Sequence, residues 1–244
     1  MVFTSNRTGV FEVWVSASDG SSPSKLTNLP DSLSGSPRWR SDGKQIVFFS
    51  DRNNAGYQDW IINRDGSSLQ QITQIDRAPW NPILFPDGKK LSFTSSKGTF
   101  LIDLSKPLSD RLAEPLPLMD KEGHLFDRAS CSSDGRYMAG FCVDSNLSRI
   151  PGLFVYTLQT KAYTKIAEAG QSPTWVASSS KLLFQKEQDL YIVDVVSNKV
   201  QHVSTKPDVL MGPVSVVDVS RDGKFLYLVR EDSQADIWLA TLQE

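Results

Sequence analysis

Ser36-Pro37-Arg38-Trp39-Arg40-Ser41-Asp42-Gly43-Lys44-Gln45-Ile46-Val47-Phe48-Phe49 decides the fold. An Asp-Gly pair between two runs of β-branched and aromatic residues is a hairpin signal, because tight hairpin turns need residues that accept positive φ. The signal returns at Asp87-Gly88-Lys89, Asp134-Gly135-Arg136 and Asp222-Gly223-Lys224. The glycine spacings are 45, 47 and 88 residues, and the last is two periods. Ser178-Ser179-Ser180-Lys181 stands in the middle of that gap as the same turn without its Asp-Gly. Trp14 and Trp60 keep the period at 46 residues, as do Gly20 and Gly66.

Each period reads as four short strands. In the second, a strand over 37–40 enters the Asp42-Gly43 turn, Gln45-Ile46-Val47-Phe48-Phe49 leaves it, and a polar loop runs from Asp51 to Gln58. Asp59-Trp60-Ile61-Ile62 makes a third strand, Asp65-Gly66 a second turn, and Gln70-Gln71-Ile72-Thr73 a fourth strand. Helical periodicity is almost absent; the segment from Ser109 to Glu114, pinned between Pro107 and Pro115, has room for one turn. Four strands repeating at this period predict an all-β fold, a six-bladed β-propeller of four-stranded antiparallel blades. The blades span 2–29, 36–74, 81–118, 127–167, 172–204 and 213–244 of a single domain. The first and last are short of one strand each, which implies a chain that continues upstream and an open edge where self-association is a hazard. Trp39, Trp175, Phe48, Phe93, Phe141, Phe184 and Tyr227 recur at fixed positions and are expected to fill the space between blades.

The composition narrows the function. Among 244 residues, 26 basic stand against 28 acidic with no long run of either sign, so a nucleic-acid groove or a polybasic membrane patch is not expected. No apolar stretch approaches the roughly 18 residues that cross a bilayer. No secretory leader pattern precedes the first strand, so the sequence as given reads as cytoplasmic, and as periplasmic if the chain begins upstream. The two cysteines, Cys131 and Cys142, flank the Asp134-Gly135 turn. A symmetric hairpin sets Cys131 opposite Met138 and Cys142 opposite Asp127, roughly 13 Å apart along the strands. That exceeds disulfide reach, so free thiols are expected.

The Asp42-Gly43-Lys44 stretch with its Pro37 and Trp39 resembles the WD-like Pro-x-Trp-Ser-Pro-Asp-Gly-Lys repeat of TolB-type propellers, and Phe85-Pro86-Asp87-Gly88-Lys89 keeps the Pro-Asp-Gly core. Thr4-Ser5-Asn6-Arg7-Thr8-Gly9 leading to Glu12-Val13-Trp14 is similar to that family's connection between second and third strands, and Asp51-Arg52 to Asp59-Trp60 repeats it. The resemblance covers essentially the whole chain and fails only at Ala177-Ser178-Ser179-Ser180. It implies a binding module: TolB is a periplasmic propeller that binds a lipoprotein. Similar arrays form C-terminal domains of bacterial regulators and kinases, which the blades from Asp127 onward resemble more.

A catalytic reading finds little to stand on. There is no Gly-x-Ser-x-Gly elbow, His-Glu-x-x-His, Walker A or Gly-x-Gly-x-x-Gly motif. Only two histidines occur. His202 falls on an outer strand and is expected at the surface. His124 falls in a loop between blades, where it joins Asp120, Glu122 and Asp127 either as a metal or acid–base cluster or, the reading taken, as a solvated loop. Asp51 to Gly56 imitates a calcium loop, but Ala55 and Ile62 stand where ligands are needed, so Asp51 and Arg52 are read as braces. No cofactor and no metal are therefore expected. The site residues are Arg77, Trp80, His124, Asp127, Arg128 and Met211, loop-face residues of the kinds that make protein-binding hot spots. The expected function is a non-catalytic module that engages a protein or peptide at the loop face. The alternatives are a lyase, glycosidase or hydrolase, or a sensor of a small ligand or metal, working in the axial funnel.

Overall fold

Three of the Asp-Gly turns close in one way in a computed structural model of the chain. Gly43, Gly88 and Gly135 sit at φ of 71°, 68° and 71°. Their N–H groups donate to the carbonyls of Arg40, Phe85 and Ser132 at 2.8–2.9 Å. The Asp42, Asp87 and Asp134 carboxylates accept the N–H two residues on, from Lys44, Lys89 and Arg136, at 2.8–3.0 Å. The aspartate thus fixes the turn and the glycine supplies the left-handed residue. The structure describes residues 1–29, 32–52, 56–76, 78–176, 180–187, 189–203, 214–220 and 226–230. The turn at Asp222-Gly223, most of the serine turn, and the strand expected near Trp238 lie outside them.

Six antiparallel sheets follow in chain order. The first holds β1 (Val2–Ser5), β2 (Glu12–Val15) and β3 (Ser24–Lys25). The second holds β4 (Ser34–Trp39), β5 (Gln45–Ser50), β6 (Gln58–Asn63) and β7 (Gln70–Gln71). The third holds β8 (Trp80–Leu84), β9 (Lys90–Ser95), β10 (Gly98–Asp103) and β11 (Glu114–Pro115), with one 3-10 turn at Leu108–Asp110. The fourth holds β12 (Leu125–Cys131), β13 (Tyr137–Val143), β14 (Arg149–Thr157) and β15 (Ala162–Ala167). The fifth holds β16 (Gln171–Trp175), β17 (Lys181–Lys186), β18 (Asp189–Asp194) and β19 (Lys199–Val203), and β20 (Val214–Val219) pairs β21 (Leu226–Arg230) in the last. The meander is the blade topology read from the repeat, and the first blade lacks its first strand among the described residues.

The hydrophobic cores lie between blades. Val13 and Leu29 of the first blade pack with Ile46, Phe48, Trp60 and Ile62 of the second. Val47, Ile61 and Ile72 meet Leu84 and Leu91 of the third, and Phe85 meets Phe126, Met138 and Tyr156 of the fourth. Phe141, Leu153 and Val155 meet Leu182, Phe184 and Val193 of the fifth. Among the described residues the sheets thus bury much of their apolar surface against neighbouring blades, which is why the repeats stack. Phe48, Phe93, Phe141 and Phe184 are buried, and Trp39 and Trp175 pack half-buried on the inter-blade clusters.

The first strands of successive blades adjoin one another, and each carries a bulge. The ladder skips between Gly35 and Arg38, Trp80 and Ile83, and Asp127 and Ser130. Ser36, Asn81 and Arg128 occupy these bulges in the left-handed region, at φ of 47°, 53° and 48°. The bulge corrects one expectation. Cys131 faces Met138 as read, but Cys142 faces Phe126 and not Asp127, because the extra residue at Arg128 slips the register by one. Both thiols are free, as the separation along the hairpin requires.

Candidate functional site

In a four-stranded meander the first-to-second and third-to-fourth turns share one end of the blade. The second-to-third loops and the connections between blades share the other. The second end is the loop face, and it carries a repeated device. Arg7 lies over Trp14 at 4.7 Å and over Phe3 at 5.5 Å. Arg52 lies over Trp60 at 5.4 Å, and Arg149 over Phe141 at 3.6 Å. A guanidinium spread on an aromatic face keeps its charge while its stem loses freedom, which prepares it to meet an anionic group. Arg149 also donates to the Gly170 carbonyl across the blade boundary. Asp51 braces its loop by accepting the Leu33 N–H at 2.6 Å, the role read from the sequence.

Beneath these arginines, a carboxylate or amide ties the third strand of the first two blades to the chain that leaves the fourth. Glu12 Oε1 accepts the Leu29 N–H at 2.9 Å, and its Oε2 accepts the Thr27 hydroxyl. In the second blade Gln58 Oε1 accepts the Thr73 hydroxyl at 3.0 Å and the Ile75 N–H at 3.1 Å. Asp59, one residue on, breaks the repeat. Its third-strand position is filled by Val13, Thr99, Leu153 and Leu190 in the other described blades, all buried. Asp59 is 0% exposed, and among the described residues neither carboxyl oxygen has a hydrogen-bond partner. Burial holds its pKa well above the usual carboxylate range.

At the bulge of the fourth blade, Arg128 is 74% exposed, and its Nε stands 3.8 Å from the Asp127 carboxylate. Burial raises the Asp127 pKa, with the Arg128 charge and N–H opposing it. Desolvation, and after it the Arg128 charge, lowers the pKa of Arg149. A shallow groove of about 350 Å³ opens beside Arg149, lined also by Gly152, Gly170, Gln185, Lys186 and Glu187.

No family model matches the sequence. A stretch of 62 residues is 34% identical to the uncharacterized peptidase YuxL of Bacillus subtilis (strain 168), taking in 25% of this chain and 9% of that protein. Among solved structures, TolB from Acinetobacter baumannii superposes with a TM-score of 0.67 at 17% identity, over 92% of this chain and 56% of TolB. The fold is that of a TolB-like β-propeller. The chain spans little more than half the length of that TolB and a small part of YuxL. The same propeller architecture is shared with a structure from the nidogen/laminin complex (TM-score 0.65, 13% identity, 94% of this chain and 84% of that one). It is also shared with an oligogalacturonate lyase in complex with manganese (TM-score 0.53, 12% identity, 95% and 78%).

On the loop face of this TolB-like propeller the sequence-derived residues separate. Asp127 and Arg128 fall together at the fourth-blade bulge. Trp80 opens β8, half-buried opposite Thr94, next to the bulge residue Asn81. Arg77 and Met211 lie outside the described residues. His202 is exposed on β19 as expected, 3.2 Å from Asp189. His124 binds Asp120, with Nδ1 to Oδ2 at 2.5 Å. The third group near this pair is Cys142, while Glu122 offers the Asp120 carboxylate its backbone N–H and Asp127 is not in the cluster. Burial, then the Asp120 charge, pushes the Cys142 thiol up to about 11. Cys142 was legible only to a reader who placed the bulge. The arginine–aromatic pairs do leave a signal in the sequence, since Arg7 with Trp14 and Arg52 with Trp60 repeat at nearly one period.

Proposed function

We propose that this propeller is an interaction module that binds a protein or peptide at its loop face, through carboxylates presented to Arg128 and Arg149. The observation that carries the reading is that Arg128 is 74% exposed on a bulge in the left-handed region, while Arg149, fixed on Phe141, lines a groove on the same blade. A strained, exposed, like-charged pair costs stability, and function is the usual reason such strain persists. Arginine with aromatic backing is also the composition of binding hot spots. The propellers it resembles include TolB and one from a nidogen/laminin complex, the latter crystallised as a protein complex.

The test is capture from a lysate of the source cell by the tagged chain and by an Arg128→Glu variant, read by quantitative mass spectrometry. A stoichiometric partner held by the parent chain and lost from the variant supports the reading. A partner retained at full occupancy by the variant, or none held by either protein, overturns it. A second reading takes Asp127 as an acid–base group beside Arg128, since the propeller fold is also found in an enzyme, the oligogalacturonate lyase. Burial raises the Asp127 pKa in the direction such a role requires. Turnover of an acidic oligosaccharide that disappears in Asp127→Asn would favour it.

A further inference from the structure

The proposed function leaves Cys142 without a role. It is 2% exposed in β13, and its thiol meets the loop that brings the chain from the third blade to the fourth. That loop is tightly made. The Met119 N–H donates to the His124 carbonyl at 2.9 Å, and the Gly123 N–H to the Asp120 carbonyl at 3.4 Å. Gly123 takes φ +86°, which turns the chain within five residues and throws Asp120 and His124 to one side. Tyr163 anchors the approach by donating to the Pro117 carbonyl at 2.8 Å. The His124 N–H adds a bond to Asp120 Oδ1 at 3.2 Å.

The result is one carboxylate, one imidazole and one thiol, with a ligand atom of each within 4.8 Å of the others. They come from two separate elements, a loop and a buried strand, so their meeting is tertiary and not a matter of neighbouring sequence. Ions that accept oxygen, nitrogen and thiolate sulfur together are of the zinc class; manganese, magnesium and calcium prefer all-oxygen shells. Bonds of about 2.0–2.3 Å would set tetrahedral ligand atoms roughly 3.4 Å apart. The cluster reaches that spacing if Asp120 and His124 part slightly and Cys142 draws in, and both loop residues are partly exposed and able to adjust.

We propose that Asp120, His124 and Cys142 form a three-ligand site for Zn²⁺, with its fourth position open on the loop face. Coordination displaces the thiol proton of Cys142 to solvent and locks the loop between the third and fourth blades onto β13. This inference stands apart from the partner-binding reading, because none of the three ligands is Arg128 or Arg149.

The test uses the whole chain stripped with a chelator and reloaded with Co²⁺ as a spectroscopic probe, followed by Zn²⁺ competition against a chromophoric chelator. The expected result is one equivalent of Co²⁺, a thiolate-to-cobalt charge-transfer band, and its displacement by one equivalent of Zn²⁺. Cys142→Ser should abolish the band, and Cys131→Ser should leave it intact. His124→Ala, a change in a half-exposed loop, should weaken Zn²⁺ at least about tenfold, since even second-shell changes cost that much. Circular dichroism confirms that each variant is folded. The inference is overturned by the absence of a thiolate band in the parent chain, by a band that survives Cys142→Ser, or by unchanged Zn²⁺ affinity in His124→Ala.

Discussion

Asp59 should be worth more to this protein as a valine than as itself. The first blade places Val13 at the same position, so the repeat itself specifies the replacement. A buried carboxyl without partners costs about 1–3 kcal/mol even when neutral. Burying valine instead returns roughly 1.5 kcal/mol. Asp59→Val should therefore stabilise the fold by about 2.5–4.5 kcal/mol, a rise on the order of 5–18 °C in Tm for a domain of this size. The pH dependence separates this mechanism from mere better packing. The folded pKa of Asp59 lies above its unfolded value, so the folded chain holds a proton that the unfolded chain gives up. The stability this group allows is complete below about pH 4 and declines by about 1.4 kcal/mol per pH unit as pH rises toward the folded pKa. Thermal or urea melts of the parent, Asp59→Asn and Asp59→Val between pH 4 and 7 read this directly. Both variants should lose the falling slope, so that their advantage over the parent grows with pH. If parent stability instead rises through that window, or Asp59→Asn is destabilised more at pH 7 than at pH 4, Asp59 is an ionised and paired carboxylate and the reasoning fails.

Glu12→Gln should cost little, because Gln58 does the same work one blade on, whereas Glu12→Ala should cost about 1–3 kcal/mol in urea unfolding by stranding the Thr27 hydroxyl and the Leu29 N–H. Arg128→Asn should raise stability by about 1 kcal/mol, since asparagine accepts the left-handed bulge better and the exposed Asp127 pairing is worth little; a melt that falls instead would assign Arg128 a structural task. Hydrogen bonds from Ser21, Ser67 and Ser105 hold Asp19, Asp65 and Asp103 below the usual carboxylate pKa, so their contribution is present above pH 4 and lost as pH falls through the folded values. Replacing all three aspartates by asparagine should flatten the stability profile below pH 4, as chemical denaturation across that range would show.

The repeat was legible because its turn chemistry is local: an Asp-Gly pair specifies its own hairpin whatever surrounds it, and four such pairs at one or two periods imply the rest. Sequence spacing misplaced Cys142, because the bulge at Arg128 adds a residue that strand counting does not see. A symmetric hairpin sets Cys142 opposite Asp127, one residue farther from His124 than its actual partner Phe126. Asp59 was visible in outline, as the strand quoted from Asp59 to Ile62 begins with a charge where the first blade has Val13. Its burial is a matter of tertiary packing, which no local pattern reports. The stacking of Arg52 on Trp60 and of Arg149 on Phe141 likewise depends on loop paths that the hydrophobic alternation leaves open.

The left-handed residues of the inner strands have a consequence for how such proteins diverge. Ser36, Asn81 and Arg128 sit between ladder contacts instead of within them. A ladder residue is held to its neighbours on both sides, so exchanging it disturbs a blade; a residue in one of these gaps can be exchanged like a bulb in a socket. Serine, asparagine and arginine already occupy equivalent sockets in this one chain without altering the sheet around them. The chemistry of the inner rim is thereby uncoupled from the chemistry that builds the blades. A lineage can rewrite what the rim offers, one position at a time, while turns and inter-blade cores keep the frame recognisable at 17% identity.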